Sequence, residues 1–384
     1  MRLHEPTIAR SGELRPTHLE VDLGQLVENY RAIQRHVGGA RVMPILKANA
    51  YGHGLVEVAR ALETAGAPIV GVAYLEEGLR LREEGVRLPV LVLGGIVGEQ
   101  IPRFLEHDLT LTASSVDKLR AIDGCAEAMK VRAKVHLKID TGMERIGVHW
   151  YSAESLLEAS LACRHVDVEG VFTHFANADD PGELAHPKLQ LERFEEVLRF
   201  YERRSVRPPL RHAANSGAIL QLPESWLDMV RPGILFYGAR PSSALPKAVP
   251  VRGALRWVTR VVFFKVVKPG NAVSYGSTWT PAELTRVVTL PVGYGDGYPR
   301  ALSNRGEVIV RGQRHPVIGR VCMDQLMVSI GWGTAYNGDE AVLLGRDGSH
   351  EITAEDLADW AGTIPHEVLV SINTRVPRVY RAPE

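Results

Sequence analysis

Cysteine is scarce in this chain. Three residues, Cys125, Cys163 and Cys322, are spread over 384 positions. So odd and sparse a set makes no disulfide framework and points to a reducing, cytoplasmic setting. No C-x-x-C pair and no H-E-x-x-H motif occurs, so no metal site is expected. Neither sign of charge is in excess: 45 Lys and Arg face 45 Asp and Glu. A balanced chain has no electrostatic pull toward nucleic acid or an anionic membrane surface, and neither is expected as a partner. No apolar run approaches the roughly 18 residues that suggest a membrane span. The opening stretch, MRLHEPTIARSGELRPTHLE, lacks an apolar core before a small-residue cleavage site, so no secretory signal is expected there. A dinucleotide fingerprint is missing too. GYGDGYP at 293–299 is glycine-rich, but it runs into Pro299 rather than a helix.

What is present is a regular grammar. Short apolar runs at 41–47, 69–73, 90–93, 109–113, 134–139, 168–173, 210–213 and 228–231 read as strands. Helical patterns lie between them, at 55–65, 75–84, 98–106, 115–129, 152–163 and 187–203, with a short one after Ser216. A further helix precedes the first strand. Asp22 is its expected N-cap, Leu23, Leu26, Val27, Tyr30, Ile33 and Val37 share one face, and Gly38-Gly39 ends it. Eight strands alternating with helices predict a (β/α)₈ barrel of the TIM type. Near 240 the pattern changes. Pro241, Pro246 and Pro250 punctuate a linker, and Val/Thr/Phe-rich runs then alternate with glycine turns. This predicts a mostly β C-terminal domain with one helix at 353–361, capped by Thr353 and Asp356 and closed by Gly362. The expected organisation is an arm at 1–17, a barrel at 18–245 and a β domain at 246–384.

In such a barrel the strands' C-terminal ends carry the chemistry. Strand one delivers Lys47 from the apolar run VMPIL into a small, glycine-rich segment. A lysine with apolar neighbours at a strand end is placed to lose its proton and act as an amine nucleophile. Strand five runs into Lys138, Asp140 and Arg145. Strand six gives His174, strand seven Asn215 and Ser216, and strand eight Arg231, Gly233 and Ile234. An aldehyde cofactor with a phosphate suits this set. The amine takes the aldehyde, Tyr51 offers a phenol, and Ser216 with the backbone at Gly233 and Ile234 offers phosphate donors.

The motif KANAYGHG (47–54) resembles the pyridoxal 5'-phosphate lysine motif of the alanine racemase family. LKIDTGMERIGV (137–148), THFANAD (173–179), QLERF (190–194), HAANSGA (212–218), VRPGILFYG (230–238), SYGSTW (274–279), PVGYGDGY (291–298) and GRVCMDQ (319–325) extend the resemblance over nearly the whole chain. It implies a pyridoxal-phosphate-binding barrel followed by a β domain. It makes Lys47 the cofactor-bonding lysine and one of two bases, with Tyr275 the other. His174 and Arg231 form a chain serving the tyrosine, and Arg231, rather than a carboxylate, pairs with the pyridine nitrogen. Tyr51, Asn215, Ser216, Gly233 and Ile234 belong to the cofactor site. Arg145 contacts cofactor and substrate carboxylate, Lys138 matches a lysine carbamylated in some members, Met323 offers a backbone N–H to the carboxylate, and Tyr294 narrows the approach. A head-to-tail homodimer is implied, with Tyr275 and Met323 reaching the partner's barrel. The implied activity is interconversion of L- and D-alanine, supplying D-alanine for peptidoglycan. One position departs: Thr374 stands where some members carry a pocket-lining tyrosine. A broader amino-acid racemase accepting serine is the alternative, and a pyridoxal-phosphate-dependent decarboxylase of the same fold a further one.

Overall fold

The computed structural model describes residues 15–382, so most of the expected arm at 1–17 lies outside the described residues. The chain forms two compact units. One is Leu26–Arg252, and the other joins the residues up to Gln25 with those from Gly253 onward.

In the first unit eight strands form the barrel, Arg41–Val42, Val70–Val72, Val90–Val92, Leu111–Ala113, Ala133–Asp140, Val166–Phe172, Leu210–His212 and Met229–Val230, and the two-residue strand Val148–His149 pairs parallel beside Ala133–Asp140. All pairings among them are parallel. Where regular ladders stop, the bridges Ile45–Gly71 and Leu91–Thr110 continue the ring. The backbone bonds Asp228 N–H to Arg211 O (3.1 Å) and Arg231 N–H to Ala214 O (2.9 Å) close it. The barrel matches the one expected from the apolar runs. Its short central strands are buried on both faces, as a parallel sheet wrapped by helices requires. Helix Leu23–Val37 starts where the Asp22 carboxylate accepts the N–H of Gln25 (2.8 Å) and stops at Gly38, whose φ of 62° is left-handed.

The second unit is a ten-stranded, largely antiparallel sheet. His18–Asp22, grouped by its position with the barrel segment 18–245, belongs here. It pairs antiparallel with Leu255–Arg260 and parallel with Arg378–Arg381. The reason lies in its period: Leu19 and Val21 alternate inward, a two-residue repeat suited to a half-buried sheet. The proline-punctuated stretch up to Arg252 stays with the barrel unit. Phe263–Val267 lies at one end of the sheet order and pairs on one side, with Thr285–Leu290. Helix Ala354–Ala361 carries the expected capping box. Asp356 N–H donates to Thr353 Oγ1 (3.0 Å), and Thr353 N–H donates to Asp356 Oδ2 (2.8 Å). A second helix, Pro365–Ser371, opens on a proline and was not expected.

Candidate active site

The barrel group begins at Lys47. After Leu46 the chain makes one turn of left-handed helix rather than a simple tight turn. Ala48, Asn49, Ala50 and Tyr51 have φ of 53°, 55°, 52° and 51°. None is glycine, and each such residue costs about 1–2 kcal/mol in this region. Local bonds offset the cost. Ala48 N–H donates to Glu77 Oε1 (2.6 Å), Leu55 N–H to Asn49 Oδ1 (2.9 Å), and His53 Nδ1 sits 3.1 and 3.0 Å from the carbonyls of Ala50 and Tyr51. The turn holds Lys47 at the barrel mouth, its amine 6.0 Å from the centre of the Tyr51 ring. Burial by the surrounding wall, then the positive charge of Arg145, lower the Lys47 pKa, and Glu77 opposes them. This is the direction an amine nucleophile needs.

Arg231 is 3% exposed. Its Nη1 donates to His212 Nδ1 (2.9 Å), and its Nη2 lies within reach of Thr173 O (2.7 Å), Ala213 O (2.9 Å) and His174 Nδ1 (3.0 Å). Burial and Arg145 bring its pKa to about 9, so it stays cationic at neutral pH. Burial first, and Arg231 second, hold His174 and His212 well below the ordinary imidazole value. Both rings are therefore neutral. His174 accepts from Arg231 at Nδ1, which leaves its proton on Nε2.

Lys138 is buried, with Nζ 3.2 Å from Ile139 O and 5.0 Å from the Phe172 ring centre. Burial, then Arg231, bring its pKa down to about 7. Asp140 organises the loop that follows. Its carboxylate accepts the N–H groups of Gly142, Met143, Glu144 and Arg145 at 2.8–3.2 Å, and so sets the backbone that presents Arg145.

The anion end is built from strands seven and eight. Asn215 caps helix Ser216–Gln221, accepting the N–H of Ala218 at 3.0 Å. Ser216 Oγ accepts the N–H groups of Gly233 (2.9 Å) and Leu235 (3.3 Å). A Cβ on Gly233 would stand 2.6 Å from the Tyr51 hydroxyl. Only glycine leaves that cradle open between a phenol, a hydroxyl and the turn starting at Ile234. A phosphate, an aldehyde and a pyridine nitrogen thus find suitable groups around one barrel mouth: the cradle, Lys47 and Arg231. Pyridoxal phosphate fits this donor set.

The remaining expected residues lie together in the second unit. Tyr275 is 73% exposed on the turn Tyr275–Ser277, next to Ser274, whose φ is 68°. Ser274 Oγ donates to Arg320 O (2.6 Å), tying that turn to the segment bearing Met323. Tyr294 N–H donates to Cys322 O (3.0 Å) and Gly295 N–H to Met323 O (2.8 Å). Tyr275, Tyr294 and Met323 are all exposed. Thr374 is exposed as well, its hydroxyl 3.4 Å from Asn373 Oδ1.

Two family models match, the alanine racemase N-terminal domain over residues 21–241 and the alanine racemase C-terminal domain over 254–380. The chain belongs to the alanine racemase family. It is 46% identical over 369 residues to the alanine racemase of Carboxydothermus hydrogenoformans, covering 96% of this chain and all of that one. The alanine racemase structure from the D-cycloserine producer Streptomyces lavendulae superposes with a TM-score of 0.91 at 37% identity, over 96% of this chain and 98% of that one. That of Bartonella henselae, solved with covalently bound pyridoxal phosphate, gives 0.86 at 26% identity, over 96% of this chain and all of that one.

Sequence reasoning missed His136, His212 and Glu77 in this alanine racemase family site. A signal for the first was present: His136 and Lys138 are two apart on one strand and so share a face. The left-handed turn had no comparable signal, because its residues are alanine, asparagine, alanine and tyrosine.

Proposed function

We propose that the protein racemises alanine with pyridoxal phosphate. The observation that carries this reading is Arg231, buried and hydrogen-bonded to imidazoles and carbonyls rather than to a carboxylate. When bound, the cofactor supplies an aldehyde for an amine and an electron sink that acidifies the α-carbon. Lys47, its amine already inclined to be neutral, holds the cofactor and moves the α-proton on one face. Tyr275 moves it on the other. A phenol is a weak base at its usual pKa of about 10, and the Nε2 proton of His174 is free to stabilise the phenolate by donation. Arg231 donates to the pyridine nitrogen without releasing its proton, because a guanidinium remains charged. By keeping its proton, Arg231 would favour proton return to the α-carbon over transamination or decarboxylation.

Tyr51, Ser216, Gly233 and Ile234 hold the phosphate, with Asn215 setting the helix start beside them. Arg145 orients the cofactor phenolate oxygen and the substrate carboxylate, the Met323 N–H receives that carboxylate, and Tyr294 restricts side-chain size. Lys138, with a pKa brought down to about 7, has a large neutral fraction near that pH and is primed to take up carbon dioxide, and the resulting carbamate anion would fix Arg145. The exposure of Tyr275 and Met323 supports a head-to-tail homodimer in which each subunit completes the other's site. The role that follows is D-alanine supply for peptidoglycan in the cytoplasm. No helix among the described residues is long and apolar enough to cross a membrane.

The test is α-deuterium uptake by L- and D-alanine and L- and D-serine in D₂O, with chiral analysis. Interconversion of both alanine enantiomers with solvent deuterium, and slower serine, is expected. Pyruvate or carbon dioxide as the main product would overturn the reading. Serine as fast as alanine would establish the broader racemase, with the small side chain of Thr374 as the reason.

A further inference from the structure

Behind Arg231, inside the barrel, lie two imidazoles with no role so far. His212 ends the strand Leu210–His212, and His136 sits in the strand Ala133–Asp140. His136 is 1% exposed and His212 fully buried. His136 Nδ1 is 2.8 Å from His212 Nε2, and His212 Nδ1 is 2.9 Å from Arg231 Nη1.

We propose that His136 is a positioning residue: by accepting the His212 Nε2 proton it supports the His212 tautomer that Arg231 demands, and through it the orientation of Arg231; its catalytic meaning rests on the reading of Arg231 as partner of the pyridine nitrogen. The argument is one of proton direction. A guanidinium has donors and no acceptor, so His212 Nδ1 must present its lone pair. A neutral ring has one proton, which then lies on Nε2 and points at His136 Nδ1. His136 accepts there, so its own proton is on Nε2. The other tautomer of His212 would set N–H against N–H at Arg231, and would force the His136 proton from Nε2 to Nδ1 to avoid lone pair against lone pair there. One nitrogen's bond thus dictates the state of the other. Neutrality of both rings follows from their surroundings. Burial, then the charge of Arg231, bring His136 to about pKa 3, and His212 is depressed by the same causes in the same order.

The fold makes room for this ring specifically. A Cβ at Gly170 on the neighbouring strand would lie 2.3 Å from His136 Nδ1, the atom that accepts. Phe172 stacks on His212, with ring centres 4.8 Å apart and planes 6° apart, and closes the other side.

The experiment uses holoenzyme, with ¹⁵N-labelled histidines, in wild type, His136→Asn and His136→Leu. Asn places an amide oxygen near the position of Nδ1 and keeps an acceptor; Leu removes it. In wild type and His136→Asn, the His212 signals should show a protonated Nε2 and an unprotonated Nδ1. In His136→Leu the Nε2 proton loses its acceptor, and the His212 signals should shift away from the wild-type pattern. The same variant should lose about tenfold in kcat for racemisation with KM changed less than about twofold, and form more pyruvate per turnover, while His136→Asn recovers most of both. A protonated Nδ1 on His212 in wild type would overturn the proposal, even if the leucine variant failed to fold. So would an asparagine variant as impaired as the leucine one. An Arg231→Glu control separates the two readings. If its product partition is unchanged, the pyridine assignment fails, while the histidine spectra still decide the tautomer lock.

Discussion

At the scale of single residues, the site works by withholding charge from groups that usually carry it. Lys47 is nudged toward the free amine, Lys138 titrates at about 7, and three histidines around Arg231 are neutral. Arg231 in their midst keeps its proton, and the contrast gives its replacement a definite outcome. Arg231→Glu would put a proton-sharing carboxylate at the pyridine nitrogen. Pyruvate formation relative to racemisation should rise about tenfold or more, measured by coupled assay against chiral chromatography. Unchanged partitioning would remove the electronic role of the arginine. Tyr275→Phe removes the hydroxyl proposed as one of two proton carriers. Exchange of the α-proton should slow on the order of 10²-fold or more for one enantiomer and much less for the other. Equal small losses would count against two bases on opposite faces. Lys47→Ala should abolish the visible absorption of lysine-bound cofactor, and persistence of that band would reassign the lysine.

At the scale of elements, what could be read in the sequence follows from what burial requires. Parallel barrel strands are covered on both faces, so they read as short, largely apolar runs; Val70–Val72 and Val90–Val92 are the clearest, while Leu210–His212 carries Arg211 and His212. The capping box at Thr353 and Asp356 and the glycine stop at Gly38 are local chemistry and were equally legible. Left unread were features made by distant partners. The left-handed turn at 48–51 exists because Glu77, 29 residues away, receives the N–H of Ala48. Membership of His18–Asp22 in the second sheet depends on Arg378–Arg381. His136 and His212 sit in runs that read as core. The phosphate cradle shows the same dependence and can be tested. Gly233→Ala would push a methyl group to 2.6 Å from the Tyr51 hydroxyl. Cofactor affinity should fall about tenfold, ~1.4 kcal/mol, in a fluorescence titration. An unaffected affinity would show that the cradle has slack.

At the scale of the whole molecule, the buried histidines set the acid limit of stability. Their folded pKa values lie below the ordinary 6.5, at about 3 for His136. Between those values the unfolded chain binds more protons than the folded one, so stability declines as pH falls from 6.5 toward 3. Urea midpoints should drop across that window, and His136→Asn should flatten the slope. Lys138 acts higher up: the unfolded lysine binds its proton up to 10.5 and the folded one only to about 7, so it adds stability as pH rises between them. The proposal of a site shared between subunits makes a separate prediction about assembly. Lys47→Ala and Tyr275→Phe chains, each inactive alone, should on mixing regain about a quarter of native activity, because half the dimers are mixed and each holds one intact site. No recovery would mean that each chain completes its own. The pairing of Leu19 with Arg378 also bears on synthesis. The barrel's residues emerge from the ribosome as one continuous block and can collapse as they appear. The sheet's first strand must wait, unpaired along one edge, until Arg378–Arg381 is made. A nascent chain stalled just short of residue 378 should therefore hold a protease-resistant barrel and an unfinished sheet, with chaperones most needed until that strand emerges.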